Sequence, residues 1–184
     1  MRTFLAFDVE EGVEEKILNM TEHFRGIDRG VRWVRPENSH VTIHFFGEVD
    51  EENIPEIEGI IRDATQKIGP FTIEIRGISA FPSLERARVI WYGIYNHEKL
   101  TTVYNNVCDG LRGRGIVEKL ETRPYTPHLT AGRVKGRIKP RLVDEIRLHE
   151  KEEFGSFTVG TLVLFKSTLT GRGPLYEKLA LFKL

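Results

Sequence analysis

Two short stretches carry the residues best suited to chemistry: His40-Val41-Thr42-Ile43 and His128-Leu129-Thr130-Ala131. Each reads His, apolar, Thr, apolar. In an extended strand, successive side chains alternate between faces. His40 and Thr42 therefore point one way while Val41 and Ile43 point into a core, and His128 and Thr130 do the same over Leu129 and Ala131. Two such strands side by side would present two imidazoles and two hydroxyls to one pocket, a set suited to metal-free acid–base chemistry on a phosphate. Histidine exchanges a proton near neutrality, and a hydroxyl donates hydrogen bonds to phosphate oxygens without adding a group that titrates there. The bland alternative is that these residues decorate a solvated strand. The apolar residues at all four intervening positions favour half-buried strands instead.

Further segments accompany the motifs. The chain opens Arg2-Thr3-Phe4-Leu5-Ala6-Phe7-Asp8 and closes Gly173-Pro174-Leu175-Tyr176-Glu177-Lys178-Leu179. Between them lie Ser39-His40-Val41-Thr42-Ile43-His44-Phe45-Phe46-Gly47, Phe81-Pro82, Val89-Ile90-Trp91-Tyr92-Gly93 and Pro127-His128-Leu129-Thr130-Ala131-Gly132-Arg133. In this order, over nearly the whole chain, they resemble the RNA 2′,3′-cyclic phosphodiesterases, historically called 2′-5′ RNA ligases, of the two-histidine phosphoesterase superfamily. The resemblance implies hydrolysis of RNA 2′,3′-cyclic phosphate ends to 2′-phosphates, with His40 as proton donor to O3′ and His128 as proton acceptor from water. Sequence physics alone pairs the histidines without assigning these roles. Thr42 and Thr130 would bind the nonbridging phosphate oxygens. No cofactor and no metal are expected.

The resemblance also implies substrate contacts five residues after each histidine, at Phe45 and Arg133: an aromatic for an unpaired base and an arginine for phosphate. Strict alternation opposes this. It sends Phe45 into the core with Val41 and Ile43 and leaves Phe46 on the active face, unless a bulge or strand end reverses the order.

The remaining histidines are weaker candidates. His44 shares the alternating face of His40 and Thr42, where a surface position is expected. His23, His97 and His149 fall in predicted helices or turns without evident partners, and neither His97-Glu98 nor His149-Glu150 is completed into a zinc-protease motif. Phosphate-binding glycine loops of the nucleotide-binding kinds are absent, and Gly113-Arg114-Gly115 and Gly171-Arg172-Gly173 read as turns.

Positioning these residues falls to an alternation of strands and helices. Strands are expected at 2–9, 31–34, from the Pro36–Ser39 turn to Gly47, 71–79, 87–95, 125–134, 157–167 and 174–183. Helices are expected from about 11 to 24 with Gly26 as a stop, at 53–68, 98–112 and 140–149. Without strict βαβ alternation, the pattern indicates an α+β fold with antiparallel sheets. The two motifs stand about half a chain apart, which suggests two pseudo-symmetric lobes, each of antiparallel sheet plus helices, around a central cleft; the resemblance implies the same architecture. Residues 1–184 are expected to act as one bilobal domain.

Composition narrows the setting. The chain has 184 residues, 27 basic and 27 acidic, and therefore no global attraction for nucleic acid. RNA contact would have to come from local patches, at Arg133, Lys135, Arg137, Lys139 and Arg141, or at Arg112 and Arg114. Long apolar runs and a secretory leader are not evident. The single cysteine, Cys108, suits a reducing compartment and reads as a helix-core residue. A cytoplasmic monomer is expected, acting on RNA that ends in a 2′,3′-cyclic phosphate, with tRNA halves among the candidates. Two other functions fit the same residues: 2′-5′ ligation of a cyclic-phosphate end to a 5′-hydroxyl, and an RNA- or nucleotide-binding module without turnover.

Overall fold

A computed structural model describes residues 1–35, 38–117, 124–171 and 173–184. Pro36 of the expected turn and Arg172 of the expected Gly171–Gly173 turn lie outside the described residues. The elements follow in the order β1 (Arg2–Asp8), α1 (Glu11–Ile27), β2 (Val31–Trp33), β3 (His40–Glu48), α2 (Ile54–Thr65), β4 (Phe71–Phe81), β5 (Val89–Tyr95), α3 (Glu98–Leu111), β6 (His128–Val134), α4 (Pro140–Leu148), β7 (Glu153–Val159), β8 (Thr161–Thr170) and β9 (Gly173–Lys183).

All strand pairs are antiparallel, and the strands run in the order β7-β4-β5-β6-β3-β1-β8-β9, with β2 added to β6. The two motif strands, β3 and β6, meet at the centre through one register pair, Val41 opposite Leu129. That single pair divides the sheet into two half-sheets, β3-β1-β8-β9 and β6-β5-β4-β7. Helices α2 and α3 pack together on the first, against β9 and β3, while α1 and α4 pack together on the second, against β7 and β4. The fold is thus α+β and bilobal, as expected.

The lobes are not the two halves of the sequence. A pseudo-twofold relation takes β1, α1, β3, α2 and β4 onto β5, α3, β6, α4 and β8. Under it, β4 of the first half completes the second lobe, and β8 of the second half completes the first. The chain crosses between lobes at Gly160, where the single strand expected over 157–167 is in fact two, β7 and β8, in opposite lobes. The apolar alternation of Phe157 and Val159 slips at Gly160 and resumes at Leu162, which the composition of the segment conceals.

The helices follow their apolar spacing. Val13, Ile17, Thr21 and Phe24 form the buried face of α1, which runs on through Gly26 instead of stopping there. Ile57, Ile60, Ile61 and Ala64 do the same in α2. Pro55 and Pro140 occupy the first turns of α2 and α4, where a missing N–H leaves no helical hydrogen bond unmade. Behind the motif strands, Val41, Ile43, Leu129 and Ala131 are all buried in the continuous core that these helices cover.

Candidate active site

His40, Thr42, His128 and Thr130 are half-buried and line one cleft of about 440 Å³ between the half-sheets. The alternation that fixes this arrangement holds through four residues of each motif and then breaks, in the same way in both. Opposite β1, Ala6 pairs with Thr42 but Leu5 pairs with His44, so Ile43 is an extra residue. Opposite β5, Trp91 pairs with Thr130 but Ile90 pairs with Gly132, so Ala131 is extra. Each motif therefore carries a β-bulge at its fourth position. A bulge inserts one residue into the period-two pattern and returns the following odd position to the original face. Phe45 and Arg133 accordingly stand on the cleft face and line the same cavity. The alternating placement of Phe46 on that face is corrected: Phe46 is buried.

The bulge also relocates His44, which is 3% exposed and not at the surface. Its Nδ1 lies 3.8 Å from Cys108 Sγ on α3, and its ring packs against Phe46 and Tyr104. Two tyrosines, Tyr92 buried and Tyr125 half-buried, brace the motif strands. Tyr125 donates its hydroxyl to the Thr42 carbonyl at 3.0 Å, and Tyr92, opposite Leu129 on β5, donates to the Ile17 carbonyl of α1 at 3.1 Å.

The catalytic candidates have matching hydrogen bonds. His40 donates Nδ1–H to the Asn38 carbonyl at 2.8 Å, and His128 donates Nδ1–H to the Thr126 carbonyl at 2.7 Å. A carbonyl can only accept, so this contact sets the tautomer and leaves Nε2 of each ring as the proton-exchanging atom. Aromatic rings hold both imidazoles edge-on or tilted. Phe4 and Tyr176 lie 4.9 and 5.1 Å from His40, and Phe81 lies 5.2 Å from His128.

Burial pushes the pKa of both histidines below the ordinary 6.5 by disfavouring the charged ring, and Arg133 lowers both further. The backbone acceptors act in the opposite direction. One influence distinguishes the two: the Asp8 carboxylate raises the proton affinity of His40. Asp8 faces His40 across β1 and β3, whereas the corresponding partner of His128 is Gly93. Asp8 is itself paired with Lys178 at 2.7 Å.

The cleft concentrates positive charge in a chain with none overall. Arg2, Arg32, Arg35 and Arg133 line it, and no carboxylate does among the described residues. The Arg2 guanidinium also sits over the Phe45 ring at 4.8 Å, a cation–π contact that holds this exposed aromatic in place. Only Arg133 of the basic run from 133 to 141 reaches the cleft. Lys139 turns away to the Ile27 carbonyl at 3.3 Å. Arg112 and Arg114 are surface ion pairs with Asp109 and Glu56. The three histidines expected to lack partners have them: His97 meets Thr101 at 3.2 Å, and His23 and His149 converge on Glu145.

Arg2, Arg32, Arg35, Asn38 and Tyr176 joined the site only in the structure. Alternation along β1 places Arg2 on the face of Phe4, but nothing local in the sequence indicates that β1 and β9 flank the first motif.

The fold and its paired motifs define a phosphoesterase of the two-histidine class. A family model described as LigT like Phosphoesterase matches residues 7–91. An RNA 2′,3′-cyclic phosphodiesterase of Methanothermobacter thermautotrophicus is 36% identical over 185 residues, covering 100% of this chain and 99% of the relative. One from Methanocaldococcus jannaschii is 39% identical, covering 96% and 97%. A crystal structure of a Thermus thermophilus protein superposes with a TM-score of 0.85 at 26% identity over 100% of this chain and 98% of that one. The structure of Escherichia coli LigT complexed with 3′-AMP shares the fold, with a TM-score of 0.76 at 23% identity over 100% and 97%. The chain belongs to the LigT-like phosphoesterases, the family of the RNA 2′,3′-cyclic phosphodiesterases. Among the described residues no helix is long and apolar enough to cross a membrane.

Proposed function

We propose that this protein hydrolyses RNA 2′,3′-cyclic phosphate ends to 2′-phosphates without a metal, using His40 and His128 as a general acid–base pair. The observation that carries the proposal is the matched pair of motifs in one arginine-lined cleft, each with its Nδ1 committed to a backbone carbonyl and its Nε2 left to exchange a proton.

In the proposed reaction, His128 Nε2 takes a proton from water as the water oxygen bonds to phosphorus. The P–O3′ bond breaks, and O3′ receives the proton held on His40 Nε2. The pair ends with its protonation reversed and resets by exchange with solvent. Asp8 favours the protonated form of His40, and no carboxylate takes the equivalent place beside His128. This asymmetry supports His40 as the acid and His128 as the base. Bound phosphate adds a negative charge that favours protonation of the acid in the complex. Thr42 and Thr130 donate to the nonbridging oxygens, where donors aimed at developing charge lower the barrier. Arg133 neutralises the phosphate, and Phe45, held by Arg2, offers a ring to the terminal base. The cyclic-phosphate names of the full-length relatives support this substrate class. tRNA halves fit it, and a monomeric cytoplasmic enzyme completes the reading.

The test is product chromatography from an oligoribonucleotide ending in a 2′,3′-cyclic phosphate, with EDTA present. Wild-type protein should give a 2′-phosphate, and His40→Ala and His128→Ala should not. RNA binding without conversion by the wild type would overturn the proposal in favour of a binding module.

A further inference from the structure

We propose that His23, Glu145 and His149 form a transition-metal site, suited to zinc, that ties α1 to α4 in the second lobe. His23 lies in α1. Glu145 lies near the end of α4 and His149, four residues on, caps its C-terminus, so the two meet at that end of the helix. His23 Nε2 is 2.8 Å and His149 Nε2 3.6 Å from the same oxygen, Oε1 of Glu145. All three potential ligand atoms lie within 4.8 Å of one another. Zinc bonds nitrogen and oxygen at about 2.0–2.2 Å, so ligands of one tetrahedral site stand roughly 3.3 Å apart. The present spacing brackets that value, and small side-chain rotations would reach it.

A separate observation concerns the far side of one ligand. His149 Nδ1 faces the Glu152 carboxylate at 3.4 Å. Nδ1–H donation to that carboxylate leaves Nε2 as a lone-pair donor toward Glu145 and His23. A carboxylate behind a histidine is one of the common ways proteins orient and strengthen an imidazole ligand.

The donor set selects the ion. Two imidazoles and one carboxylate suit zinc and its late first-row neighbours rather than magnesium or calcium, which take oxygen ligands. The cluster opens onto a surface concavity that includes Lys16, Asn19 and Glu153, leaving access for the ion and for a water as fourth ligand. The ligands come from segments 122 residues apart, so a bound ion would cross-link distant parts of the chain without touching the catalytic cleft.

The test is calorimetric titration of zinc chloride into EDTA-stripped, dialysed full-length protein at neutral pH. The wild type and a His40→Gln/His128→Gln variant should each bind one zinc ion per chain. His23→Gln/His149→Gln should weaken binding by more than about tenfold, and zinc should raise the melting temperature of the wild type but not of this variant. Glu152→Gln, which keeps all three ligands, should also weaken binding. No binding by the wild type would overturn the proposal. So would binding that survives His23→Gln/His149→Gln unchanged and disappears with His40→Gln/His128→Gln. Cyclic phosphate hydrolysis by stripped wild-type protein is a separate readout that leaves the zinc result unaffected.

Discussion

Replacing the 3′ oxygen of the cyclic phosphate with sulfur should rescue His40→Ala and leave His128→Ala inactive. With the natural substrate, either alanine should lower kcat/KM by about 10²–10⁴, the usual worth of one general acid or base, which is roughly 2.7–5.4 kcal/mol of barrier. In His40→Ala the phenol that packed against the imidazole, Tyr176, has its pKa raised by burial, which makes it a poor substitute acid. A 3′-thiolate leaves without a proton, so the acid contribution vanishes and His40→Ala should come within about tenfold of wild type on the sulfur substrate. Attack by water still needs a base, so His128→Ala should keep its full deficit. The assay is single-turnover hydrolysis of matched oxygen and sulfur oligonucleotides, with circular dichroism melts to verify folding. Rescue of His128→Ala in place of His40→Ala would reverse the two roles. Equal deficits on both substrates would refute acid catalysis by either histidine.

Three further outcomes follow from the geometry. Thr42→Val and Thr130→Val preserve shape while removing a donor to a charged oxygen, worth about 1.5–3 kcal/mol, so steady-state kinetics should show each lowering kcat/KM by roughly ten- to a hundredfold. A Cβ on Gly132 would lie 2.7 Å from Val31 and 2.9 Å from Trp33, where β2 pairs with β6. Gly132→Ala should therefore cost about 1–3 kcal/mol and lower the melting temperature by a few degrees for each kcal/mol. His40 and His128 have folded-state pKa values below 6.5, so the unfolded chain binds protons more readily. Their contribution to stability is present above pH 6.5 and is lost as pH falls through the lowered folded values. The His40→Gln/His128→Gln variant should show a flatter dependence of melting temperature on pH in that window.

The chemistry was legible where local periodicity governs it. His40, Thr42, His128 and Thr130 share a face because four residues of strand alternate, and four residues suffice to read that. The positions of Phe45 and Arg133 depend on bulges at Ile43 and Ala131. A bulge is set by how neighbouring strands pair, and neither Ile nor Ala announces one. His44 was misplaced for the same reason: one inserted residue carried it from the cleft face to the core beside Cys108. Pairings distant in sequence left no local trace at all. Tyr176 stands against His40, and Glu145 gathers His23 and His149, although periodicity gives each of these residues only a helix or strand face. The strand break at Gly160 hides in an otherwise continuous β-forming stretch.

The exchange of β4 and β8 between lobes bears on how such a protein can be divided or assembled. Cut after β4, the chain yields one fragment holding β1 to β4 and another holding β5 to β9. Each keeps only part of its pairing: β1 retains β3 but loses β8, β8 retains β9 but loses β1, and β4 loses both β5 and β7. Each piece is a half-built sheet with open edges, and the two complete one another only by trading strands, β4 and β2 in one direction and β8 with β9 in the other. Fragment complementation should therefore restore the fold where neither fragment folds alone. By the same geometry, a single-motif ancestor could have built this cleft as an intertwined pair, and fusion would have turned the trade between molecules into the crossover within one chain.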